Sequence, residues 1–262
     1  MSVSLLLIDP QNDFCSPGGA LYIKDADKDL DRLSNFVKNN ISKIDDVHVT
    51  LDCHPFFHIA HPCFWKDANG NDVPLYTTIS YADFAEGKYT PSVLALRPRV
   101  EEYLIALENQ GKYQLRIWPP HCILGTSGFS VYDALWQSLN DWERFRPGNM
   151  VDYVVKSKNP LTEHYSAIRA EVPDPSDVST RTNFTLIDKL KQADTIYVAG
   201  EALSHCVANT LRDLFIYISP RKITLLRDCT STLKPFEQQA EDFIQEFTAK
   251  GMNVIDSNSK II

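Results

Sequence analysis

The sequence predicts a single domain of the α/β class, in which a doubly wound, Rossmann-like sheet of mainly parallel strands lies between two layers of helices. Three observations lead to this fold class. The chain has 262 residues, of which 44% are hydrophobic and 23% charged, as in ordinary globular proteins. Short, nearly continuous apolar runs such as SLLLID and TIYVAG are typical of strands buried on both faces. Amphipathic segments with helical periodicity separate these runs, which indicates parallel strands joined by helical crossovers.

Six strands and six helices are predicted, in alternation along most of the chain. The predicted strands are Ser4–Asp9, Val47–Asp52, Val151–Lys156, Thr195–Gly200, Lys222–Asp228 and Asn253–Ile255. The predicted helices are Asp27–Asn40, Arg97–Gln110, Val131–Phe145, Phe184–Gln192, Ser204–Ile218 and Pro235–Lys250. Residues 59–96 and 170–183 show little periodicity. We therefore expect one domain over residues 1–262, with 59–96 as a long inserted segment or lid.

Charge and hydropathy argue against nucleic-acid and membrane partners. The net charge is −8 and no cluster of Lys or Arg stands out, so nucleic acid is not an expected partner. No stretch approaches the ~20 apolar residues that span a bilayer. The apolar run at the N-terminus is too short for a signal peptide and follows no basic residues. We therefore expect a cytoplasmic protein whose six cysteines, with no C-x-x-C pair among them, are reduced.

Polar side chains with catalytic chemistry follow four of the predicted strands. In doubly wound sheets the carboxyl ends of the strands form the ligand-binding edge. We therefore expect these side chains to meet there. They are Asp9, Asp13, Asp52, His54, Lys156 and Cys206.

Cys206 lies where a predicted strand turns into a helix, in the segment AGEALSHCVANTLRDL. A helix N-terminus favours a thiolate, and its free N–H groups can bind an oxyanion during acyl transfer. From this segment alone, a small buried thiol of the core is the alternative.

The partners of a reactive thiol would be a lysine and an acid. Lys156, at the end of VDYVVK, would stabilise both anions if it were buried beside them, although a strand-end lysine can also simply extend to solvent. Lys158 is an alternative for the same role. Asp13 is the expected acid, with a turn or helix-capping role as its alternative. Asp9 competes with it, but at the end of a strand we expect Asp9 to anchor the loop.

The stretch TLDCHPFFHIAHPCFW, residues 50–65, contains side chains that bind metals. Asp52 and His54 are two residues apart, so in extended backbone they share a face and can provide two ligands to a divalent ion. A third ligand is needed, and His58, His61 and His121 are candidates, as are plain polar roles in a loop. A structural zinc site made of Cys53, His58, His61 and Cys63 is disfavoured, because these residues lack a standard zinc spacing.

Five ordered segments resemble the isochorismatase-like family, in its cysteine-hydrolase branch and closest to the nicotinamidase group. LLLIDPQNDFCSPGGAL is similar to the opening strand and acidic loop of that family, and TLDCHP to its metal-binding strand. WPPHCILGTSG, VVKSKNPLTEHYSAI and VAGEALSHCV are similar to its later motifs. The resemblance covers residues 3 to about 230.

The resemblance implies a catalytic triad of Asp13, Lys156 and Cys206, in which the nine-residue spacing to Tyr165 selects Lys156 over Lys158. It also implies metal ligands, an oxyanion site, and walls for the substrate ring. The metal ligands would be Asp52, His54 and His121, the oxyanion donors the N–H groups of Ala202 and Cys206, and the ring-lining residues Phe14 and Trp118. His58 would be a pocket residue, and His61, Cys53 and Cys63 would have no role. A cis peptide is implied at Glu201–Ala202.

One motif departs from the family pattern. Where nicotinamidases have G-x-A-T-D-x-C, this chain has Leu203 and Ser204 in place of the Thr and Asp. Glu201 adds a carboxylate that would bind substrate if it pointed inward. We expect it to point outward as a solvated acid, because most Glu side chains are exposed.

The implied activity is hydrolysis of a small carboxamide, with nicotinamide as the leading substrate, to an acid and ammonia through a thioester. One divalent ion is the implied cofactor, with zinc first and iron or manganese as alternatives. The alternatives in function are hydrolysis of another small amide or of an N-carbamoyl compound, and a non-catalytic binding protein on the same fold. The expected partner is a small-molecule amide, and a homo-oligomer is compatible with the sequence.

Overall fold

The structure, a computed structural model, describes residues 1–261 and confirms the predicted fold class. The strands in the described residues are β1 (Val3–Ile8), β2 (Asp46–Asp52), β3 (Trp65–Asp67), β4 (Thr78–Ile79), β5 (Tyr89–Pro91), β6 (Leu115–Arg116), β7 (Asp152–Lys156), β8 (Thr195–Gly200), β9 (Ile223–Leu226) and β10 (Asn253–Ile255). The α-helices there are α1 (Asn12–Cys15), α2 (Ala26–Asn39), α3 (Tyr81–Ala85), α4 (Arg97–Asn109), α5 (Asp133–Phe145), α6 (Phe184–Lys191), α7 (Ala208–Leu214) and α8 (Glu237–Ala249).

The order of strands in the central sheet places β1 in its interior. The order is β10-β9-β8-β1-β2-β7, and every neighbouring pair is parallel. From β1 the chain goes to one side for β2 and to the other for β8. The carboxyl ends of these strands therefore border the crevice in which folds of this kind bind ligands.

Strand β1 is buried on both faces, as its continuous apolar run predicts. Leu5 and Leu7 point into a core that includes residues of α2, α4 and α5. Leu6 and Ile8 point into a second core, formed with residues of α6, α7 and α8. The end of β1, where the first polar residues of the site follow, is therefore held from both sides.

The segment 59–96 is more regular than its sequence indicates. It contains β3 and β5, which pair with each other in antiparallel fashion, and β4, which pairs with β6 beyond the segment. Phe64, Trp65 and Phe84 are fully buried. The segment is therefore a packed extension that shares the core of α4. That residues 1–262 form one domain stays a prediction.

The helix expected at Ser204–Ile218 starts in an unusual way. The carbonyl of Ala202 accepts hydrogen bonds from the N–H groups of His205 and Val207, and the second is the i→i+5 bond of a π-helix. Residues Leu203–Val207 form this π-helical turn, and α7 follows it. No helix within residues 1–261 combines the length and apolar character needed to cross a membrane.

Candidate active site

Four strand ends of the central sheet contribute to one buried group of charged side chains. Asp9 follows β1, Asp52 ends β2, Lys156 ends β7, and Cys206 lies in the π-helical turn after β8. All four side chains are buried. The expectation that polar residues after these strands meet at one edge is thus met for these four.

Lys156 lies at the centre of this group. Its Nζ is 3.0 Å from Oδ2 of Asp9 and 3.1 Å from Oδ1 of Asp52. It donates a hydrogen bond to the carbonyl oxygen of His164 at 2.8 Å and lies 3.8 Å from the Cys206 sulfur. Burial lowers the pKa of Lys156, but the charges of Asp52 and Asp9 outweigh it and hold that pKa well above its ordinary value. The lysine is therefore a permanent cation.

The Cys206 thiol is controlled by opposing influences. Burial raises its pKa well above the ordinary value, the charge of Lys156 lowers it, and the carboxylates of Asp9 and Asp52 raise it again. Burial also raises the pKa of Asp9, against the lowering effect of Lys156. A thiol proton and a carboxyl group that readily accepts one thus lie on either side of the same ammonium group.

Asp13 does not join this group, contrary to the sequence-based expectation. Its Oδ2 accepts a hydrogen bond from the Cys122 N–H at 2.6 Å, and its Oδ1 accepts one from the Ala20 N–H at 3.0 Å. Within residues 1–261, the only carboxylates within 4 Å of Lys156 Nζ are those of Asp9 and Asp52. Asp13 therefore anchors loops, and Asp9 occupies the place expected for it.

The tight fit around Asp13 supports this correction. A Cβ atom on Gly128 would lie 2.1 Å from Asp13 Oδ2, so the loop closes directly over the carboxylate. The two acids are four residues apart and both follow β1, but the short helix α1 turns Asp13 away. Asp9 itself has a positive φ of 44°, an uncommon conformation for a non-glycine residue that concentrates at functional sites.

Asp52, His54 and His121 lie together as expected. The Nε2 atom of His54 is 3.8 Å from Oδ1 of Asp52, and Nε2 of His121 is 3.6 Å from Oδ2 of the same carboxylate. The rings of His54 and His121 have their centroids 4.6 Å apart. These separations between ligand atoms suit binding of a common ion.

His61 belongs to the same cluster. The residue pattern left it open as a third ligand, whereas the family resemblance implied no role for it. The ligand atoms of His54, His61 and His121 all lie within 4.8 Å of one another. Burial, together with the charges of His54 and His121, lowers the pKa of His61 to about 3, so its ring stays neutral as a metal ligand requires. His61 follows His54 by seven residues through a turn, so strand parity gives no hint of it.

The hydrogen bonds of the three histidines leave one nitrogen of each ring for a ligand role. The Nδ1 atoms of His54, His61 and His121 lie 3.2, 3.0 and 2.8 Å from the carbonyl oxygens of His121, Phe56 and Pro119. Each Nδ1 can therefore donate to a carbonyl oxygen, and each Nε2 is left for a metal ion, which would replace any proton bound there. Within residues 1–261, His54 Nε2 and His61 Nε2 are buried without a hydrogen-bond partner. This donor set fits a divalent metal ion.

His58 and Glu163 flank this cluster. His58 Nε2 lies 3.2 Å from the Thr162 carbonyl, and its Nδ1 accepts a hydrogen bond from the Ala60 N–H at 3.2 Å. Because both nitrogens are engaged, His58 is a poorer ligand than His61. Glu163 Oε1 lies 3.6 Å from His54 Nε2. Burial raises the pKa of Glu163, but the nearby His54 and His58 lower it by more. The pKa therefore lies below its ordinary value, and the group is a carboxylate. No motif in the sequence pointed to Glu163, because it lies in a loop without a periodic pattern.

A narrow cavity lies beside the Cys206 sulfur, and Phe14 and Trp118 line it, as the resemblance implies. The Phe14 ring meets that of His121 edge to face, with the centroids 5.3 Å apart. The Trp118 indole N–H donates a hydrogen bond to the Tyr165 hydroxyl at 3.2 Å, which fixes the plane of the indole. The remaining lining residues include Leu21, Ile23, Asp52, His121, Glu163, Ala202, His205 and Leu233.

The turn before Cys206 has the implied cis peptide at Glu201–Ala202. Within residues 1–261, the N–H of Ala202 donates no hydrogen bond, so it is available to an oxyanion. The Leu203 N–H donates to the carbonyl of Ser231 at 2.8 Å, and the Ser231 N–H donates to Oε2 of Glu201 at 3.0 Å. Ser231 thus fixes both sides of the turn.

The expectation that Glu201 points outward is wrong. Its side chain is fully buried, and it faces Ser231 and Asp29 instead of the cavity beside Cys206. Burial, with the charge of Asp29 as the next contribution, raises the pKa of Glu201 well above its ordinary value, so it carries a proton. The structure therefore does not support Glu201 as a residue that contacts substrate.

Comparison with known proteins gives a consistent result. No family model matches the chain. Nicotinamidase from Saccharomyces cerevisiae is 24% identical over 255 residues, which cover 97% of this chain and 99% of the relative. Nicotinamidase from Escherichia coli is 26% identical over 212 residues, covering 80% of this chain and 75% of the relative.

Solved structures share the fold over nearly the whole chain. The yeast nicotinamidase structure has a TM-score of 0.67 at 22% identity, covering 97% of this chain and 99% of that one. The Pyrococcus horikoshii pyrazinamidase in complex with zinc has a TM-score of 0.58 at 21% identity, covering 98% and 99%. The fold is that of nicotinamidases and pyrazinamidases of known structure. The expected resemblance to the nicotinamidase group of the isochorismatase-like family is confirmed by both curated relatives.

Proposed function

We propose that this protein is an amidohydrolase that converts nicotinamide to nicotinate and ammonia through a thioester on Cys206. The observation that supports it most is the single ammonium group of Lys156, which lies 3.0 Å from Asp9 and 3.8 Å from the Cys206 sulfur. This is a nucleophile with an acid–base partner, held together by a cation. The curated relatives of this chain are nicotinamidases.

In the first half of the reaction, Asp9 takes the thiol proton and Lys156 stabilises the thiolate. The thiolate sulfur attacks the carboxamide carbon, and the N–H groups of Ala202 and Cys206 donate hydrogen bonds to the oxyanion that forms. Asp9 then gives its proton to the amide nitrogen. The C–N bond breaks, ammonia leaves, and the acyl group stays on sulfur as a thioester.

In the second half, Asp9 is a carboxylate again and accepts a proton from a water molecule. The resulting hydroxide attacks the thioester carbon, and the same N–H groups bind the new oxyanion. The C–S bond then breaks, the carboxylic acid is released, and the thiolate takes back a proton from Asp9. The raised pKa of Asp9, caused by burial, suits a group that accepts and returns a proton twice in each cycle.

We further propose zinc as the metal, held by Asp52, His54, His61 and His121. Neutral imidazoles with one carboxylate are a donor set that zinc accepts, and iron and manganese are the alternatives. When bound, the metal supplies an electrophilic partner for the ring nitrogen of the substrate. Phe14 and Trp118 form the walls between which the ring is held.

The location in the cell and the oligomeric state stay predictions. All six cysteines are unpaired, which supports the proposed location in the reducing cytoplasm. Every residue assigned a step above belongs to one copy of the chain, so the proposed chemistry is compatible with a monomer or with a homo-oligomer.

A pair of acid variants tests the proposed function. Asp9→Asn should lower kcat for ammonia release from nicotinamide by about a thousandfold or more, the usual scale for losing one member of a triad that acts as a unit. Asp13→Asn is the matched control, four residues away, and should keep kcat within about tenfold of wild type, since it changes a loop contact only. Mass spectrometry of Asp9→Asn with nicotinamide should show an acyl adduct confined to Cys206 if deacylation becomes limiting. Equal losses in the two variants, or wild-type turnover by Cys206→Ala, would overturn the mechanism. Efficient hydrolysis of N-carbamoyl compounds without turnover of nicotinamide would overturn the substrate.

A further inference from the structure

A second, larger cavity adjoins the cavity beside Cys206. It has a volume of about 650 Å³, and four side chains line both cavities. These shared residues are Leu21, Ile23, Trp118 and Leu233. A substrate whose carboxamide is at Cys206 therefore has room for a substituent that passes these side chains. We call the larger space the outer cavity.

Arg116 lines the outer cavity without an acidic partner among the described residues. Within residues 1–261, no carboxylate lies within 4 Å of its guanidinium, its side chain makes no hydrogen bond, and its Nε is buried without a partner. A guanidinium group has five N–H donors, and burying one of them unpaired costs free energy. Arg227 lines the same cavity but has an ion-pair partner, because its Nη2 lies 3.0 Å from Oε1 of Glu241.

Three aromatic rings hold the guanidinium of Arg116 in place. Its central carbon lies 5.8 Å from the ring centroid of Tyr76, 5.3 Å from that of Trp118 and 5.6 Å from that of Phe236. Such contacts keep the planar group in one orientation without using its N–H donors. The two Nη groups are thus free to bind a planar or tetrahedral anion, and little conformational entropy would be lost on binding.

The charges around the outer cavity favour an anion over a cation. Lys24 and Lys234 line it, and within residues 1–261 neither has a carboxylate within 4 Å. Of the three acids on its walls, Asp25 is paired with Lys28 and Glu241 with Arg227, which leaves Glu237 alone. Three unpaired cations thus face one unpaired acid.

The charge of Arg116 also affects the pKa of His205, next to Cys206. His205 lines the cavity next to Cys206, and its pKa is lowered to about 4 by burial and, to a smaller extent, by the charge of Arg116, against the raising effect of Glu163. Trp118 forms one wall of both cavities. Arg116 is therefore electrostatically connected to the place where the carboxamide would react.

We propose that Arg116 forms an anion-binding subsite in the outer cavity, and that this enzyme prefers carboxamides bearing a second, acidic group such as a carboxylate or a phosphonate. This inference deepens the proposed function and rests on it. The reactive group, the metal ligands and the ring walls stay as described. The acidic group would extend past Trp118 and Leu233 to the guanidinium.

The test uses three pyridine-3-carboxamides with the same short alkyl arm on the ring, ending in a carboxylate, a phosphonate or a hydroxyl group. The preference is the kcat/KM for an anionic arm divided by that for the hydroxyl arm. We expect this ratio to be about tenfold or more in wild type, the scale of one charge-assisted bidentate contact, and to fall to about one in Arg116→Gln. Lys24→Gln is the control: it removes one positive charge from the same cavity without freeing an acid, and it should keep most of the ratio. A ratio near one in wild type, or equal falls in both variants, would overturn the subsite.

A binding measurement separates this subsite from the proposed reaction. Cys206→Ala protein is titrated calorimetrically with two nicotinates that carry the same short alkyl arm on the ring, one ending in a carboxylate (the dicarboxylate) and one in a hydroxyl group. Tighter binding of the dicarboxylate that is lost in Cys206→Ala, Arg116→Gln supports the subsite even if no amide is hydrolysed. Equal affinity for the two acids in Cys206→Ala would overturn the subsite even if nicotinamide is a good substrate.

Discussion

Two pairs of buried acids lie near the turn that leads from β8 to Cys206, and the two pairs are stabilised in different ways. Asp9 and Asp52 are both in contact with the ammonium group of Lys156. Burial raises the pKa of Asp52, but His54 and Lys156 outweigh it and hold that pKa well below its ordinary value. We call these three residues, with Cys206, the cation-balanced cluster.

At the start of that turn, Glu201 is buried next to Asp29. Here the negative charge of Glu201 is removed by a proton instead of being balanced by a lysine. Glu201 is neutral because burial and the charge of Asp29 raise its pKa. Asp29 pairs with Arg32 and accepts a hydrogen bond from the Ser231 hydroxyl. We call Glu201, Asp29 and Ser231 the proton-balanced cluster. The comparison teaches that burial alone does not make an acid catalytic. In the proposed function, the ammonium group of Lys156 beside Cys206 makes the first cluster reactive, whereas the proton on Glu201 and the ion pair of Asp29 with Arg32 make the second a structural support.

The largest expected effect comes from removing the cation. Lys156→Met leaves Asp9 and Asp52 buried without a counter-charge, so we expect kcat/KM to fall by about a thousandfold or more. The free energy of unfolding should fall by about 3–5 kcal/mol, the usual cost of breaking a buried ion pair from one side. Ammonia release and urea denaturation measure the two effects. The exposed Lys158→Met is the control, and losses of equal size there would contradict the central role of Lys156.

The second effect concerns His61 and His58, the two histidines beside the proposed metal ligands His54 and His121. Wild-type protein should contain about one divalent ion per chain. His61→Ala removes a ligand, so it should weaken metal binding by more than the ~10–100-fold typical of losing a residue that only orients a ligand. His58→Ala should keep the metal, because both nitrogens of His58 are already engaged. Elemental analysis and competition with a chelator measure this. Metal loss in His58→Ala with retention in His61→Ala would exchange their roles.

A smaller effect is expected in the proton-balanced cluster. Glu201→Gln reproduces a protonated acid, with an N–H donor toward Asp29 and a carbonyl that accepts from Ser231, so its stability should lie within about 1 kcal/mol of wild type. Glu201→Leu loses both contacts and should cost about 1–3 kcal/mol. Urea denaturation of both variants measures these changes. If Glu201→Gln were as destabilising as Glu201→Leu, the carboxyl group would have to be ionised.

The smallest effect is a dependence on pH. The pKa of Glu201 is raised on folding, so its proton contributes stability that is fully present below the unfolded-state pKa and is lost as pH rises toward the folded-state pKa. The difference in stability between wild type and Glu201→Gln should therefore shift against wild type as pH rises from acid toward neutral. Glu171, whose pKa burial raises to about 7, contributes a loss of the same sign to both proteins and cancels. An opposite slope would show a lowered pKa.

The fold was predictable because its determinants are local. The apolar run of β1 and the helical periodicity of α2 each identify their element without knowledge of the rest. The meeting of Lys156 and Cys206 also follows, since parallel strands bring their carboxyl ends to one edge. Backbone that leaves the regular geometry was harder to predict. The sequence predicts Asp13 over Asp9 because an acid at a strand end is expected to anchor the loop and because the family resemblance implies Asp13. The positive φ of Asp9 has no marker in the sequence.

Side-chain direction in loops and in the core was the other limit. His61 reaches the metal ligands through a turn, so neither a period of two nor of 3.6 residues connects it to His54. Glu163 follows β7 in a loop with no pattern at all. Glu201 was expected in solvent because isolated Glu side chains usually are, and only its proximity to Asp29, far away in sequence, makes burial as a neutral acid possible.

The histidines proposed above as metal ligands are oriented by the main chain. His54 is oriented by the carbonyl of His121, and His121 in turn by that of Pro119. A carbonyl group survives any side-chain substitution, so point mutations around the site can change its shape and charge without changing which ring nitrogen faces the proposed metal site. His121 contributes twice, once through its ring and once through its peptide group. A variant without the ring therefore keeps the template that orients His54, and this makes the site robust to the sequence drift of its neighbours.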